Sequence, residues 1–117
     1  MNILSRLTKW FDEQCNGDWE HHYGIKIETL DNPGFLIKID IKDTKLISKH
    51  FNENHHNVSE LLIKQAKGLI PTPFTAEPPE NNNDWFNIIK KDNTIIMASS
   101  SNNLEVCLNY FLEWSYE

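Results

Sequence analysis

The densest group of reactive side chains lies between Cys15 and Gly24, where a thiol, two carboxylates, two imidazoles and two large aromatic rings fall within ten residues. A cysteine becomes a nucleophile when a neighbouring base or positive field stabilises its thiolate. Cys15 with His21 and His22 is therefore one candidate site, for a small thiol-dependent enzyme. The alternative is that Cys15 packs as a small apolar residue at a helix end. Residues 16–25 contain no lysine or arginine, so the basic residue that persulfide chemistry would need is missing from this loop.

Histidines raise the question of a metal site, because they occur as the pairs His21-His22 and His55-His56 and as the single His50, with Asp18 and Glu20 nearby in sequence. Neighbouring residues of a strand point to opposite faces, so each pair would give one ligand there. No spacing matches a zinc pattern, and no phosphate-binding glycine loop or nucleophile elbow is present. The sequence therefore predicts no metal, no cofactor and no catalytic residue.

The acidic residues are grouped. No lysine or arginine occurs in 10–25, and none follows Lys91. Such groups often only keep a surface soluble, but carboxylates beside aromatic rings also bind basic partners, because opposite charges speed association. On this second interpretation Trp19, too, is an exposed aromatic. The predicted partner-binding residues are Asp18, Glu20, Tyr23, Glu77, Glu80, Asp84 and Trp85.

Length and composition limit the class of protein. The chain has 117 residues with 17 acidic and 11 basic side chains, a formal charge of -6, and 39% hydrophobic residues. This predicts a single folded domain over 1–117, with neither nucleic acid nor membrane as partner. No apolar run is long enough to span a bilayer, the first six residues do not resemble a signal peptide, and two cysteines suit a reducing compartment, which predicts a cytoplasmic protein.

The spacing of the apolar residues predicts which helices and strands hold these side chains. Apolar spacing predicts a helix over 2–14 with Gly17 past its end, and alternation predicts a hairpin of 24–30 and 35–41 around a type II turn at Asn32-Pro33-Gly34. The residues expected on the inner face of this hairpin are Ile25, Ile27, Phe35, Ile37, Ile39 and Ile41.

The second half of the chain contains the remaining predicted elements. A third strand is predicted at 46–51, a short helix after a capping box at Asn57 and Glu60, and a Pro/Asn-rich loop over 69–84. A hairpin of 85–90 and 94–99 and a helix capped by Asn102 and Glu105 complete the chain. The predicted fold is α+β: an antiparallel sheet of about four to five strands with N-terminal and C-terminal helices packed on it and a short middle helix.

One long run of residues resembles a known family. Trp10-Phe11, residues 14–21 (QCNGDWEH) and residues 23–34 (YGIKIETLDNPG) resemble the signature of the immunity protein 53 family, small bacterial proteins that protect a cell from a cognate polymorphic toxin. The likeness continues through 37–40 and, sparsely, through Asp84-Trp85, Asn103-Leu104, Phe111 and Trp114. It departs at Phe35 and over 53–83, which is interpreted as a variable insertion.

The resemblance implies inhibition by binding, without catalysis. The acidic charge favours a toxin with a basic active site, such as a nuclease. The motif residues expected to be structural are Trp10, Cys15, Gly17, Trp19, Asn32, Pro33 and Gly34, with Asp18 accepting hydrogen bonds from loop amides. Two other hypotheses stay open: a thiol- or metal-dependent enzyme centred on Cys15, His21 and His22, and an adaptor domain without a toxin.

Overall fold

The computed structural model describes residues 2–31, 33–69 and 83–117. The helices are α1 (Ile3–Gln14), α2 (Trp19–His22), α3 (Glu60–Ala66) and α4 (Leu104–Tyr116), with a 3-10 turn at Ser101–Asn103 before α4. The strands are β1 (Ile25–Leu30), β2 (Gly34–Asp40), β3 (Asn54–His56), β4 (Phe86–Lys91) and β5 (Thr94–Ser100). This α+β arrangement confirms the predicted fold class.

The strands form one antiparallel sheet in the order β1-β2-β5-β4-β3. Ile37 lies opposite Met97, which lies opposite Ile88, so these three side chains share one face, and all are fully buried. That face packs against α1 and α4, where the rings of Trp10 and Phe111 lie 5.0 Å apart. Burial of this apolar layer is the main stabilising contribution to the fold.

The two long helices run parallel to each other. Arg6 donates to Asn109, and Tyr116 donates to Glu13, so both contacts join residues 103 positions apart. Two ends of the sheet can therefore be named. The Gly24 end is where β1 begins and where β2, α1 and α4 end. The Ser100 end is where β2 and β4 begin and where β5 ends.

Residues 46–51 are not the predicted third strand. The chain makes successive turns over 42–48, and the Thr44 hydroxyl holds one of them by donating to Ile41 O at 2.6 Å and accepting from Leu46 N at 3.1 Å. These turns bring Leu46 and Phe51 into the core. Leu46 and Phe51 are buried although they lie in a loop. The apolar residues of this segment therefore do not alternate as they would in a strand.

Two predicted helix caps were wrong, although both helices exist. Ser59, not Asn57, caps α3 by accepting from Leu62 N at 3.2 Å, and Asn57 has φ 55°. Helix α3 is terminated by Gly68: with φ 73° it donates to Gln65 O, and Leu69 donates to Lys64 O, a Schellman ending.

The capping box predicted at Asn102 and Glu105 is also absent. Asn103 takes the N-cap position of α4 without a side-chain cap bond, and Asn102 instead accepts a hydrogen bond from the Ser100 hydroxyl at 2.8 Å. The 3-10 turn before α4 moves the start of the helix by one residue, which leaves Asn102 outside the cap position. The side chain of Asn103 is thereby released for contacts with Asp84 and Trp85.

Both predicted hairpins are confirmed, with two corrections in the first. Gly34 is already the first residue of β2, paired with Leu30, rather than the third position of a type II turn; Asn32 lies outside the described residues. Ile27 lies on the expected inner face, opposite Ile37, but is 42% exposed rather than buried, because β1 is an edge strand. Asp92, in the second hairpin turn, has φ 55°.

Within the described ranges, no helix is both long enough and apolar enough to cross a membrane.

Candidate functional site

The loop after α1 is fixed by two of its own side chains. Asn16 Oδ1 accepts from the amides of Asp18 and Trp19, both at 2.9 Å, and so starts the short helix α2. The Glu20 carboxylate accepts from the amides of Asn16 and Gly17 at 2.9 Å. Gly17 has φ 89°, a conformation that favours glycine. The structural role predicted for Gly17 is thus explained by the turn it makes.

Asp18 does not cap this loop as predicted, since its side chain forms no cap bond. Its carboxylate is 85% exposed and lies 3.6 Å from His22 Nε2. Glu20 has the role expected of Asp18: backbone amides, first its own and then those of Asn16 and Gly17, hold the pKa of its carboxyl below the ordinary value. The Asp18 side chain is therefore largely exposed, whereas the Glu20 carboxylate holds the loop.

Trp19 belongs to the core and is not an exposed binding aromatic. It is 2% exposed, and its ring lies 6.1 Å from Trp10 and 5.9 Å from Phe11. Its indole N–H donates to Lys42 O at 2.9 Å, which satisfies the one polar atom of the ring. Trp10 and Trp19 are both part of the buried core. Tyr23, half-buried beside Trp19, is the aromatic ring of this region that reaches the surface.

Four carboxylates lie around the end of α1, at the Gly24 end of the sheet. We call this group the acidic corner: Asp12, Glu13, Asp18 and Glu20. In the described part of the chain none of them forms an ion pair with lysine or arginine. The last turn of α1 contains no basic residue, so the negative end of the helix dipole adds to the same field.

Glu13 also affects its neighbour on α4. The Tyr116 hydroxyl donates to the Glu13 carboxylate. Desolvation first, and then this carboxylate, raise the pKa of Tyr116 to about 12. The acidic corner is thus anchored to α4 through a neutral phenol.

The surroundings of Cys15 do not favour a thiolate. Its Sγ donates to Phe11 O at 3.3 Å, and partial desolvation together with the charges of Glu20 and Asp12 raise the pKa of the thiol. His21 and His22 are exposed on α2 rather than in a strand. Among residues 2–31, 33–69 and 83–117, no group of three His, Cys, Asp or Glu side chains is arranged to hold a metal ion.

A second polar cluster surrounds Asp84 at the Ser100 end. Its Oδ1 accepts from Asn103 Nδ2 at 3.0 Å, its Oδ2 lies 3.1 Å from His56 Nε2, and its backbone carbonyl accepts from Asn57 at 2.8 Å. Asp84 therefore joins β3, β4 and the start of α4. Neither His56 nor Asn57 was singled out as a contact from the sequence, because nothing local links them to a residue 27 or more positions away.

Trp85 follows Asp84 and is half-buried; its amide donates to the Ser100 hydroxyl at 3.1 Å, and its carbonyl accepts from the Ser100 amide at 2.9 Å. His55 and His56 point to opposite faces of β3, as expected for a strand: His55 meets Asn87, and His56 stacks on Phe86 at 5.1 Å. The cluster contains no third ligand that would make it a metal site within the described residues.

The structure separates the predicted binding residues into two groups. Asp18, Glu20 and Tyr23 lie at the Gly24 end beside edge strand β1, whereas Asp84 and Trp85 lie at the Ser100 end before β4. The groups are three strand spacings apart across the sheet and one six-residue strand length apart along it. Together these separations place the groups about 25 Å apart. Glu77 and Glu80 lie outside the described residues. The predicted single face is therefore two separate surfaces.

The Asp84 contacts predict a pH dependence. The hydrogen bond from Asn103 first, and then His56, lower the pKa of Asp84. A carboxyl whose folded pKa lies below its unfolded value, about 3.9, stabilises the fold above that pH and loses this contribution as pH falls. Asp84→Asn should therefore be less stable than the wild type at neutral pH, with the difference disappearing in acid. Urea unfolding at pH 3 and pH 7 measures this, and equal differences at both pH values would contradict it.

A model of the immunity protein 53 family matches residues 4–116. No curated protein and no solved structure matches the chain. The matched range includes α1, the acidic corner, the whole sheet and α4. Because the match covers nearly the whole chain, the protein belongs to the immunity protein 53 family.

Proposed function

We propose that the protein neutralises a cognate polymorphic toxin by binding it and covering its active or substrate-binding surface, without catalysis. Membership of an immunity protein family supports a toxin-neutralising role. The observation that supports the binding site is the acidic corner, whose carboxylates surround the end of α1 without lysine or arginine partners in the described chain. Unpaired surface charges of one sign are suited to a partner of the opposite sign.

The partner is a protein with a basic surface, and a nuclease toxin fits this requirement because its substrate is a polyanion. The same negative charge makes nucleic acid and anionic membrane unsuitable partners. The complex would form in the bacterial cytoplasm, where a toxin acts on its target. Asp18 contributes an exposed charge, Tyr23 a partly exposed ring, and Glu20 both a charge and the loop conformation.

Asp84 and Trp85 form a proposed second contact with the toxin. The Asp84 carboxylate already has Asn103 and His56 as partners, so it offers less free charge than Asp18. Trp85 is the better anchor of the two, because a partly exposed indole supplies a large contact area. Glu77 and Glu80 are proposed as further toxin contacts from the sequence alone, because they add acidic charge.

Co-expression tests this function directly. The full chain and the toxin encoded beside it are expressed together, and growth and complex formation are measured by plating and co-purification. We expect growth to be restored and a stable complex to be recovered. Continued growth arrest with a folded immunity protein, or protection without any complex, would contradict occlusion by binding.

Cys15→Ser separates this function from the enzyme alternative. Serine can keep the hydrogen bond to Phe11 O, and the raised thiol pKa argues against a thiolate role, so we expect full protection in the same co-expression assay. Elemental analysis of the purified protein checks the metal-dependent version. Loss of protection by a Cys15→Ser protein of unchanged stability would favour the thiol enzyme.

A further inference from the structure

Strand β1 forms one edge of the sheet in the part of the chain that the structure describes. The Asp40 amide donates to Gly24 O at 3.1 Å, and hydrogen-bonded pairs alternate along an antiparallel ladder. The backbone groups of Lys26, Glu28 and Leu30 therefore face β2. Those of Ile25, Ile27 and Thr29 point outward, towards a place where another strand fits.

The side chains of β1 are open to solvent on both faces. Residues 26–29 are all exposed, and Ile27 is 42% exposed on the face that packs against the helices. Lys26 and Glu28 lie on the other face, where neither forms an ion pair with a described residue. Lys26 lies directly opposite Lys38 of β2, an unfavourable pairing of like charges.

We propose that β1 binds β1 of a second copy of this chain, antiparallel about a twofold axis at Ile27, so that the two sheets become continuous. Ile27 then lies opposite the partner's Ile27, and Ile25 opposite the partner's Thr29. The outward backbone groups of both strands are satisfied by this pairing. Because the contact is isologous, it closes as a dimer and does not extend into a filament.

Charge selects this register among those that pair the outward backbone groups. About Ile27, Lys26 lies opposite the partner's Glu28 on each side of the axis, at non-hydrogen-bonded positions where side chains approach most closely. A shift by two positions in one direction places Lys26 opposite the partner's Lys26, and in the other direction Glu28 opposite the partner's Glu28. The proposed register also gives Lys26 a carboxylate neighbour to offset Lys38.

The contact is small, because each chain contributes six residues. Interfaces of this size are typical of weak, reversible association. We therefore expect a monomer–dimer equilibrium that is visible at high protein concentration and weakened by salt. The acidic corner lies around the end of α1 and is not part of β1, so dimer formation does not depend on the proposed toxin contact.

Sedimentation velocity of the full chain, from micromolar to millimolar concentration at low salt, tests the proposal. The wild type should show a concentration-dependent dimer. Lys26→Glu and Glu28→Lys should each weaken it by about tenfold or more, because each creates two like-charge pairs. An equimolar mixture of the two variants should form heterodimers, and the double variant should dimerise like the wild type.

Ile27→Pro is an independent variant, because it removes an outward N–H without removing a β1–β2 hydrogen bond. It should be monomeric with an unchanged circular dichroism spectrum; if it fails to fold, the exposed charge variants still decide the matter. A wild type that stays monomeric throughout overturns the proposal. A dimer that neither charge reversal weakens also overturns the proposal. The same holds if the mixture of the two variants and the double variant both stay monomeric.

Discussion

Trp19→Ala is expected to lower the free energy of unfolding by about 3–5 kcal/mol, the range for truncating a buried tryptophan. Trp19 is 2% exposed, and its ring contacts those of Trp10 and Phe11. Alanine would leave a cavity between α1 and the start of the sheet, and it would leave Lys42 O without its indole donor. Urea unfolding monitored by circular dichroism gives this free energy.

Trp19→Phe is the matched control, because it keeps an aromatic ring in the same place and removes the indole N–H. We expect it to lose about 1–2 kcal/mol, the cost of an unsatisfied acceptor with a small change in volume. A Trp19→Ala protein as stable as the wild type would show that the loop of residues 15–24 is not part of the core. The family motif would then need an explanation other than folding.

Reversing two charges of the acidic corner is expected to slow toxin association by about tenfold or more at low salt. The variant is Asp12→Lys with Asp18→Lys, which changes the formal charge from -6 to -2. Both residues are exposed, and Asp18 makes no hydrogen bond that holds its loop. Stopped-flow association at two ionic strengths measures the effect, which should shrink at high salt because screening weakens steering.

A control of equal charge change distinguishes steering at the acidic corner from a loss of net charge. Asp31→Lys with Glu105→Lys makes the same change with exposed residues at the Ser100 end. It should slow association much less. Equal slowing by both double variants would contradict steering by the acidic corner, because net charge or the proposed second contact at the Ser100 end would then account for the effect. Glu20 is unsuitable for charge reversal, because its carboxylate holds the amides of Asn16 and Gly17.

Elements with strong periodicity were predictable from the sequence. The spacing of Leu7 and Trp10 identified α1, and the alternation around Ile37 and Ile39 identified β2. Segment 46–51 was not predictable in this way, because its apolar side chains are buried from turns that have no regular repeat. The caps failed for a related reason: Ser59 and Asn57 are both good cap residues, and neighbouring contacts decided which one is used.

The candidate site was predicted in part. The sequence placed carboxylates and a tyrosine after α1, and Asp18 and Tyr23 do reach the surface there. It assigned Asp18 the hydrogen bonds that Glu20 makes, since either carboxylate can reach loop amides in an extended chain. It also counted Trp19 as exposed in one interpretation and as core in another, and packing against Trp10 decided for the core.

By itself the sequence determined the charge, the two long helices, the two hairpins and the family, because each of these depends on residue types and on spacing within one segment. The tertiary structure alone decided which distant residues meet. Strand order and register bring Asp84 to His56 and Asn103, hold Asp18 about 25 Å away from Asp84, and leave β1 at an edge. Contacts across such long stretches of chain depend on the packing of the whole sheet, which no local pattern encodes.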